Sequence, residues 1–466
     1  MKLSRIEITN FRCFESLTVD LQPDVNVIVG ANGAGKTSVL DAIGIALYEV
    51  VVASGGGGTR QRAQQKAALQ PTDILIGAEA SDALVGRKDF VQFRATATNF
   101  YPVDGFPAVT PDGAPNALEW TEHIAYRPPG GFRYGGRESE NLSGIHRYFE
   151  TVWQEIRRSA SEAAIPLPMV AFYRAHRRIG TMPDLGNVLS LTLSREDAFL
   201  GAMDAGADFR TMCQWFYLRE NAELRERASR ENGRAFEFAD LRAVRQALSG
   251  ALEGVERIFF DGNPPTLKVA LRDASGDSRS LELTQLSDGY RTLLALVLDY
   301  ARRLAQAHPD WPNPLEAPGI LVIDELELHL HPRWQQAVIP NLQRTFPNTQ
   351  LIVATHSPAV LTTVRRENIH LLGVDHTLET IPTDVGTYGA ETSRVLAEVF
   401  GTHVRPPTVE TTEKLREYLM LIEEGRHDGE EAKDIRAELE SSLGTSDPDL
   451  QRADVRIAQL QVLRQR

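Results

Sequence analysis

Apolar and polar residues alternate from the start of the chain. Leu3, Ile6 and Ile8 mark one short strand, Leu17, Val19 and Leu21 a second, and the mostly apolar run Val25 to Val29 a third, more deeply buried one. A helical pattern over roughly 38–53 follows and stops at Ser54-Gly55-Gly56-Gly57-Gly58-Thr59, a glycine run that ends a helix. From 71 to 135 the chain is rich in Pro and Gly, and Phe90 to Thr98 alternates, which predicts a small β region joined by long loops. Residues 143–164 read as a helix, Val170-Ala171-Phe172-Tyr173 as a buried strand, and 194–253 as charged helices of mixed sign. Strands return over 256–283, with a turn at 273–277, before the apolar helix around Thr292 to Leu298. Two further buried strands, Ile320 to Ile323 and Gln350 to Thr355, precede a tail of amphipathic helices around 410–424 and 428–443. A last helix starts at Asp447-Pro448-Asp449, where the aspartates suit capping. Strands and helices mixed in this way predict an α/β fold.

Composition narrows the picture. The 466 residues, 42% hydrophobic and 24% charged, are enough for a sizeable core and for two or three domain-sized units. A formal charge of −13 excludes a uniformly basic surface, so contact with nucleic acid needs a local patch or a partner. Cys13 and Cys213 stand far apart, which argues against a disulfide framework or a cysteine metal site and favours a reducing, cytoplasmic home. No apolar run approaches the roughly 20 residues that span a bilayer, so no membrane partner is expected. Heptads are not sustained, and any coiled-coil arm is short.

Candidate chemistry then falls at strand ends. Gly30-Ala31-Asn32-Gly33-Ala34-Gly35-Lys36-Thr37-Ser38 lies between the third strand and the first helix and fits G-x-x-x-x-G-K-(S/T). In that context successive backbone N–H groups curl round a phosphate, and Lys36 reaches the β and γ oxygens. Thr37 holds Mg²⁺ through its hydroxyl, and the helix start adds its partial positive charge. Asp324 and Glu325 end a buried strand, where carboxylates are costly unless paired or metal-linked. Asp324 is placed to hold Mg²⁺ through water, and Glu325 to orient and deprotonate an attacking water. His356, at the tip of the next core strand, is either a structural histidine or one that touches the γ-phosphate. Ser287 and Gly289, ahead of the apolar helix, are either an N-cap or part of the same site. Arg12, in Asn10-Phe11-Arg12-Cys13-Phe14, is either a solvated surface residue or a contact to the nucleotide base or phosphates. The basic cluster Arg174-Ala175-His176-Arg177-Arg178 is likewise a surface loop or a phosphate contact.

Taken together, Gly30 to Ser38, Leu286 to Arg291, Ile320 to Glu325 and Thr355-His356-Ser357-Pro358 resemble the ABC-class ATPase head shared by SMC, RecF and OLD-type proteins. Asn10-Phe11-Arg12 and Glu325-Leu326-Glu327-Leu328-His329-Leu330-His331-Pro332 resemble features of the RecF and OLD branch. The resemblance implies ATP and Mg²⁺ as ligands and an ATPase activity, with slow turnover within the expectation. It makes Gly30, Asn32, Gly33, Gly35, Lys36, Thr37 and Ser38 the ATP-binding loop. Asp324 becomes the Walker B aspartate, Glu325 the catalytic base and His356 the switch histidine. In this family Ser287 and Gly289 act across a dimer, on ATP held by the other subunit. The signature here reads Leu-Ser-Asp-Gly-Tyr where transporters have a second glycine and a glutamine. Tyr173 and Arg177 stand near where the family's lid glutamine falls.

The expected architecture is therefore an ABC-type P-loop head, a mixed β sheet with helices, assembled from 1–53 and 255–375. A β-rich insertion over 54–142, a helical lobe over 143–254 and a helical C-terminal module over 376–466 complete it. The helical tail, without strands for a Toprim nuclease, resembles that of Septu-type antiphage ATPases, whose HNH nuclease is a separate chain. That resemblance implies an HNH-type nuclease controlled in trans; with the head dimerisation that the ABC-class resemblance implies, the expectation is a homo-oligomer that senses or handles DNA. A RecF-type repair ATPase and an ATP-bound scaffold with little turnover are the rival expectations.

Overall fold

The computed structural model describes residues 1–55, 69–75, 88–103, 106, 116–127, 131–133, 139–158, 165–175, 185, 188, 194–203, 209–230, 236–272 and 275–464. The alternating N-terminal residues form β1 (Lys2–Phe11) and β2 (Phe14–Asp20), antiparallel, with Leu3, Ile6 and Ile8 fully buried on one face. The strands expected as an insertion join this same sheet. β4 (Phe90–Thr98) pairs with β1, placing Ala95 opposite Ile6, and β5 (Leu118–Arg127) and β6 (Gly131–Arg133) extend it in the order β2-β1-β4-β5-β6. The cause is packing: Val91, Phe93, Ala95 and Ala97 of β4 are buried on the face that β1 also buries, and Phe93 meets Phe11 edge-on at 5.1 Å.

A second sheet, ordered β14-β13-β3-β12-β11-β7, carries the chemistry. Its strands β3 (Val25–Gly30), β7 (Met169–Tyr173), β11 (Gly319–Ile323), β12 (Thr349–Ala354) and β13 (Ile369–Leu372) are parallel, and β14 (Leu378–Glu379) is an antiparallel edge. β3, β7, β11 and β12 are buried along their whole length, which is why they read as apolar runs rather than alternations. Because they run the same way, the loops after β3, β11 and β12 all leave one edge, the place where open α/β sheets bind ligands. A third, antiparallel sheet joins β8 (Val255–Asp261), β9 (Thr266–Arg272) and β10 (Ser278–Glu282).

Helices cover these sheets. The predicted first helix is two, α1 (Lys36–Ala46) and α2 (Tyr48–Ser54); the stretch Lys36–Ser54 is long and apolar enough by composition to cross a membrane, yet 83% of it is buried inside the protein. α3 (Leu142–Arg158), α4 (Phe209–Ser229) and α5 (Ala239–Ala251) fill the expected helical region, and α6 (Asp288–Ala307) and α7 (Val338–Thr345) pack against α5. α6 is less purely apolar than its opening suggests. Fully buried Asp299 accepts from Tyr173 Oη at 2.7 Å, Arg302 at 2.6 Å and Arg303 at 2.9 Å, and Arg303 also donates to the carbonyls of Ala198 and Leu200. Burial alone would raise the Asp299 carboxyl, but Arg303 and Arg302 outweigh it and hold it at about 2.

The chain divides into two compact units, Met1–Glu391 and Thr392–Arg466. Residues 376–391, expected with the tail, fold with the first unit: they include β14, and Thr387 donates its hydroxyl to the Val364 carbonyl at 2.7 Å. The second unit holds α8 (Thr392–Glu398), α9 (Glu410–Glu423), α10 (Glu430–Leu443) and α11 (Pro448–Arg464), of which α9, α10 and α11 pack around Leu415, Tyr418, Leu421, Ile422, Leu439 and Leu450. Asp447 caps α11, accepting from the N–H groups of Asp449 and Leu450.

Candidate functional site

The loops after β3, β11 and β12 enclose a cavity of about 420 Å³. It is lined by Arg12, Asn32, Gly33, Gly35, Lys36, Thr37, Ser38, Asp324, Glu325 and His356, so residues more than three hundred positions apart in sequence meet here. The glycine loop is built for close approach. Gly35 has φ 105, and a Cβ there would lie 2.5 Å from Phe14 Cζ and 2.8 Å from Cys13 Sγ. Lys36 Nζ is held over the loop by the carbonyls of Gly30, at 3.0 Å, and Ala31, at 2.9 Å. Gly30 therefore serves through its backbone and is not itself on the cavity wall. Burial lowers the Lys36 ammonium, while Asp324, Glu327 and Glu325 pull it back up; the net direction is down.

Opposite the loop, Thr37 Oγ1 donates to Asp324 Oδ2 at 3.0 Å. Among the described residues no three His, Cys, Asp or Glu side chains cluster as a metal cage. One hydroxyl and one carboxylate beside a phosphate loop is instead the hard-oxygen donor set that Mg²⁺ takes when substrate phosphates and waters supply its other ligands. The residues present thus fit a nucleotide-bound Mg²⁺. Glu325 has φ 46, an uncommon left-handed backbone for a residue with a side chain. It is fixed by Leu326 N–H donating to the Ala354 carbonyl at 3.1 Å and Leu328 N–H to the Glu325 carbonyl at 3.1 Å.

His356 follows β12. Burial and Lys36 both lower its imidazole below the ordinary value, against the opposing pull of Glu327, Glu325 and Asp324, so it is neutral near pH 7. Its placement depends on a residue to which sequence reading gave no role. Glu327 accepts from the His356 N–H at 2.6 Å and from Thr355 Oγ1 at 2.6 Å, tying the loop after β12 to the loop after β11. Gln335 adds a second tie, accepting from Ser357 Oγ at 2.6 Å. The only sequence signal for Glu327 was its place inside the stretch Glu325 to Pro332.

Arg12 has a place on the cavity and partners of its own. It lines the cavity, yet its guanidinium is committed to Asp41 at 2.7 Å and Asp73 at 2.9 Å. Asp41, 4% exposed, also pairs with Arg174. His176, Arg177 and Arg178 lie outside the described residues. Tyr173 points into the core toward Asp299 and does not reach the cavity wall. Ser287 and Gly289 are not brought to this cavity either. They begin α6, with Ser287 at the N-cap position, and Gly289 packs so tightly that a Cβ would sit 2.1 Å from the His329 carbonyl oxygen.

With this geometry in hand, comparisons with known proteins bear on identity. Residues 5–127 match a model described as an AAA domain, and residues 204–362 one described as an AAA domain, putative AbiEii toxin, Type IV TA system. Over 97% of its length the chain is 28% identical to the Retron Ec83 probable ATPase of Escherichia coli, covering 85% of that protein. A shorter likeness, 41% identity over 80 residues, links 17% of the chain to 11% of the Septu protein PtuA of Bacillus mycoides (strain KBAB4). Among solved structures, an SMC head bound to the C-winged helix domain of ScpA aligns over 82% of this chain and 98% of that one at 16% identity, with a TM-score of 0.44. These relatives and domains support an ABC-class ATPase similar to those of the SMC, RecF and OLD-like group.

Proposed function

We propose that this protein binds and hydrolyses ATP at the cavity between β3, β11 and β12, and that two heads close on ATP to set the state of an assembly that controls a nuclease. The observation that carries this reading is the convergence of Lys36, Thr37, Asp324, Glu325 and His356 on one cavity. Lys36 and the loop N–H groups bind the β- and γ-phosphates. When bound, Mg²⁺ neutralises charge on those phosphate oxygens. Glu325 takes a proton from water as the water oxygen bonds to the γ-phosphorus; the bond from that phosphorus to the bridging oxygen breaks, and ADP leaves. Neutral His356 donates a hydrogen bond to the γ-phosphate without adding a charge. Ser287 and Gly289, remote from their own chain's cavity, contact the γ-phosphate held by a second copy.

The likeness to a retron ATPase along nearly the whole chain, with the local Septu likeness, supports a role in antiphage defence. An HNH-type nuclease supplied as a separate chain is the effector, and DNA is what the assembly handles. Replacing Glu325 by Gln tests the core of the reading. ATP is then expected to be retained and the dimer to survive gel filtration, with turnover falling by about 100-fold or more. Unchanged turnover would remove Glu325 as the base. Co-purification with the products of neighbouring genes tests the nuclease partner.

A further inference from the structure

The first unit carries a second, smaller cavity, of about 140 Å³, at the opposite end of the parallel sheet, beside Asp24 and Val25 where β3 begins. Its rim is Tyr388, whose side chain is 65% exposed although the backbone on both sides is tied down. Thr387, 1% exposed, donates to the Val364 carbonyl, and the Gly389 N–H donates to the Thr362 carbonyl, each at 2.7 Å. An aromatic ring displayed on fixed backbone has little freedom left to lose when something stacks on it. The Arg365 guanidinium lies 5.2 Å from the ring centroid. Neither Arg365 nor Arg366 forms an ion pair among the described residues. Asp24, the carboxylate on the cavity wall, already accepts from Asn368 at 3.0 Å. Gln343 and Thr363 also line this space, the Thr363 hydroxyl donating to the Val360 carbonyl at 2.8 Å.

We propose that Tyr388 and Arg365, with Arg366 next to it in the chain, form a contact for single-stranded nucleic acid, with a base stacked on Tyr388 and phosphates paired first to Arg365 and then to its neighbour. An aromatic face beside cations without acidic partners matches the two parts of a nucleotide unit, and stacking of this kind tolerates any base. The cavity is well below the few hundred Å³ that enclose a whole small ligand, so a base edge enters it, next to Gln343, while the rest of the strand stays outside. A peptide groove would instead offer a contiguous apolar patch, whereas the apolar side chains here, Val25, Ile339 and Val364, are buried. With a chain charge of −13, such a contact has to be local. The inference rests on the reading that the assembly handles nucleic acid, and it names where.

The test uses the full chain and labelled 20-nucleotide single strands of DNA and RNA of one mixed sequence, read by fluorescence anisotropy, with ATP turnover measured on the same samples. Tyr388→Ala is expected to weaken binding by about 5- to 100-fold, the size of one lost base stack, while Tyr388→Phe binds as the parent. Arg365→Ala with Arg366→Ala should flatten the slope of log affinity against log salt by about 1.4, two phosphates at about 0.7 each. Turnover without nucleic acid stays unchanged in all three, which separates this contact from the ATP site. Binding by Tyr388→Ala equal to the parent overturns the proposal. So does a parent that binds neither strand at low salt, and a protein partner lost on Tyr388→Ala without any strand bound assigns the patch to protein instead. If the parent binds strands through Tyr388 but lacks turnover, the ATPase reading fails and this one stands.

Discussion

The nucleotide cavity and the helical tail solve opposite problems. At the cavity, charged groups are partly withdrawn from water and held by backbone groups and threonine hydroxyls: Lys36 on two carbonyls, Glu327 on an N–H and a hydroxyl, Asp324 on the Thr37 hydroxyl. In the tail, many charges lie outside, in pairs such as Arg426 with Glu431, Arg456 with Glu423 and Lys414 with Glu438, around a small apolar centre. Exposed pairs contribute roughly 0–1 kcal/mol each, so the tail stands on that centre. The head therefore has its candidate site and part of its internal bonding in the same residues, whereas the tail is held by its apolar centre and leaves Met420, Val455 and Val462 on its surface.

Four experiments break or sharpen this contrast. Lys36→Ala should cost the most, about 100- to 1,000-fold in ATP turnover, measured as phosphate release, because no other side chain in the loop carries its charge. Leu439→Ala, at a fully buried tail position, should lower the stability of the tail by about 3 kcal/mol, visible as an earlier melting transition, with turnover intact. A tail that loses turnover in that variant would unite what the comparison separates. Third comes pH. Buried His308 is held at about 4, chiefly by burial; its Nε2 accepts from the Leu167 N–H at 3.1 Å, and its Nδ1 bonds the Leu304 carbonyl at 2.9 Å. A folded value below the unfolded one means stability present above about 6.5 and lost as pH falls toward 4. The head should lose about 2 kcal/mol by pH 5, checked by calorimetry against a His308→Gln variant that lacks this slope. Glu327→Gln should have the smallest effect, about tenfold in kcat with ATP affinity nearly unchanged. The amide has one acceptor oxygen where Thr355 and His356 need two; a change in affinity alone would count against a positioning role.

Much of this was legible in the sequence where one segment carries its own meaning. The glycine loop between a buried strand and a helix, the carboxylates ending Ile320 to Ile323 and the histidine ending β12 are local patterns, and parallel pairing then brings them together. What escaped depends on neighbours that sequence does not list. β4 joins β1 across some eighty residues because their buried faces match, and nothing in either segment names the other. The partners of Arg12, Asp41 and Asp73, lie on other elements. Asp299, Arg302 and Arg303 lie past the apolar run Thr292 to Leu298 and drew no reading from the sequence, because their partners, Tyr173 and the carbonyls of Ala198 and Leu200, are on other elements.

The positive φ at Glu325 sets stability and chemistry against each other at a single residue. Glycine would occupy that backbone more comfortably, by of order 1 kcal/mol, and would remove the carboxylate. A library screened for heat resistance alone would therefore enrich a change that removes the proposed base, so stabilised versions of this protein have to be selected with turnover as a second criterion.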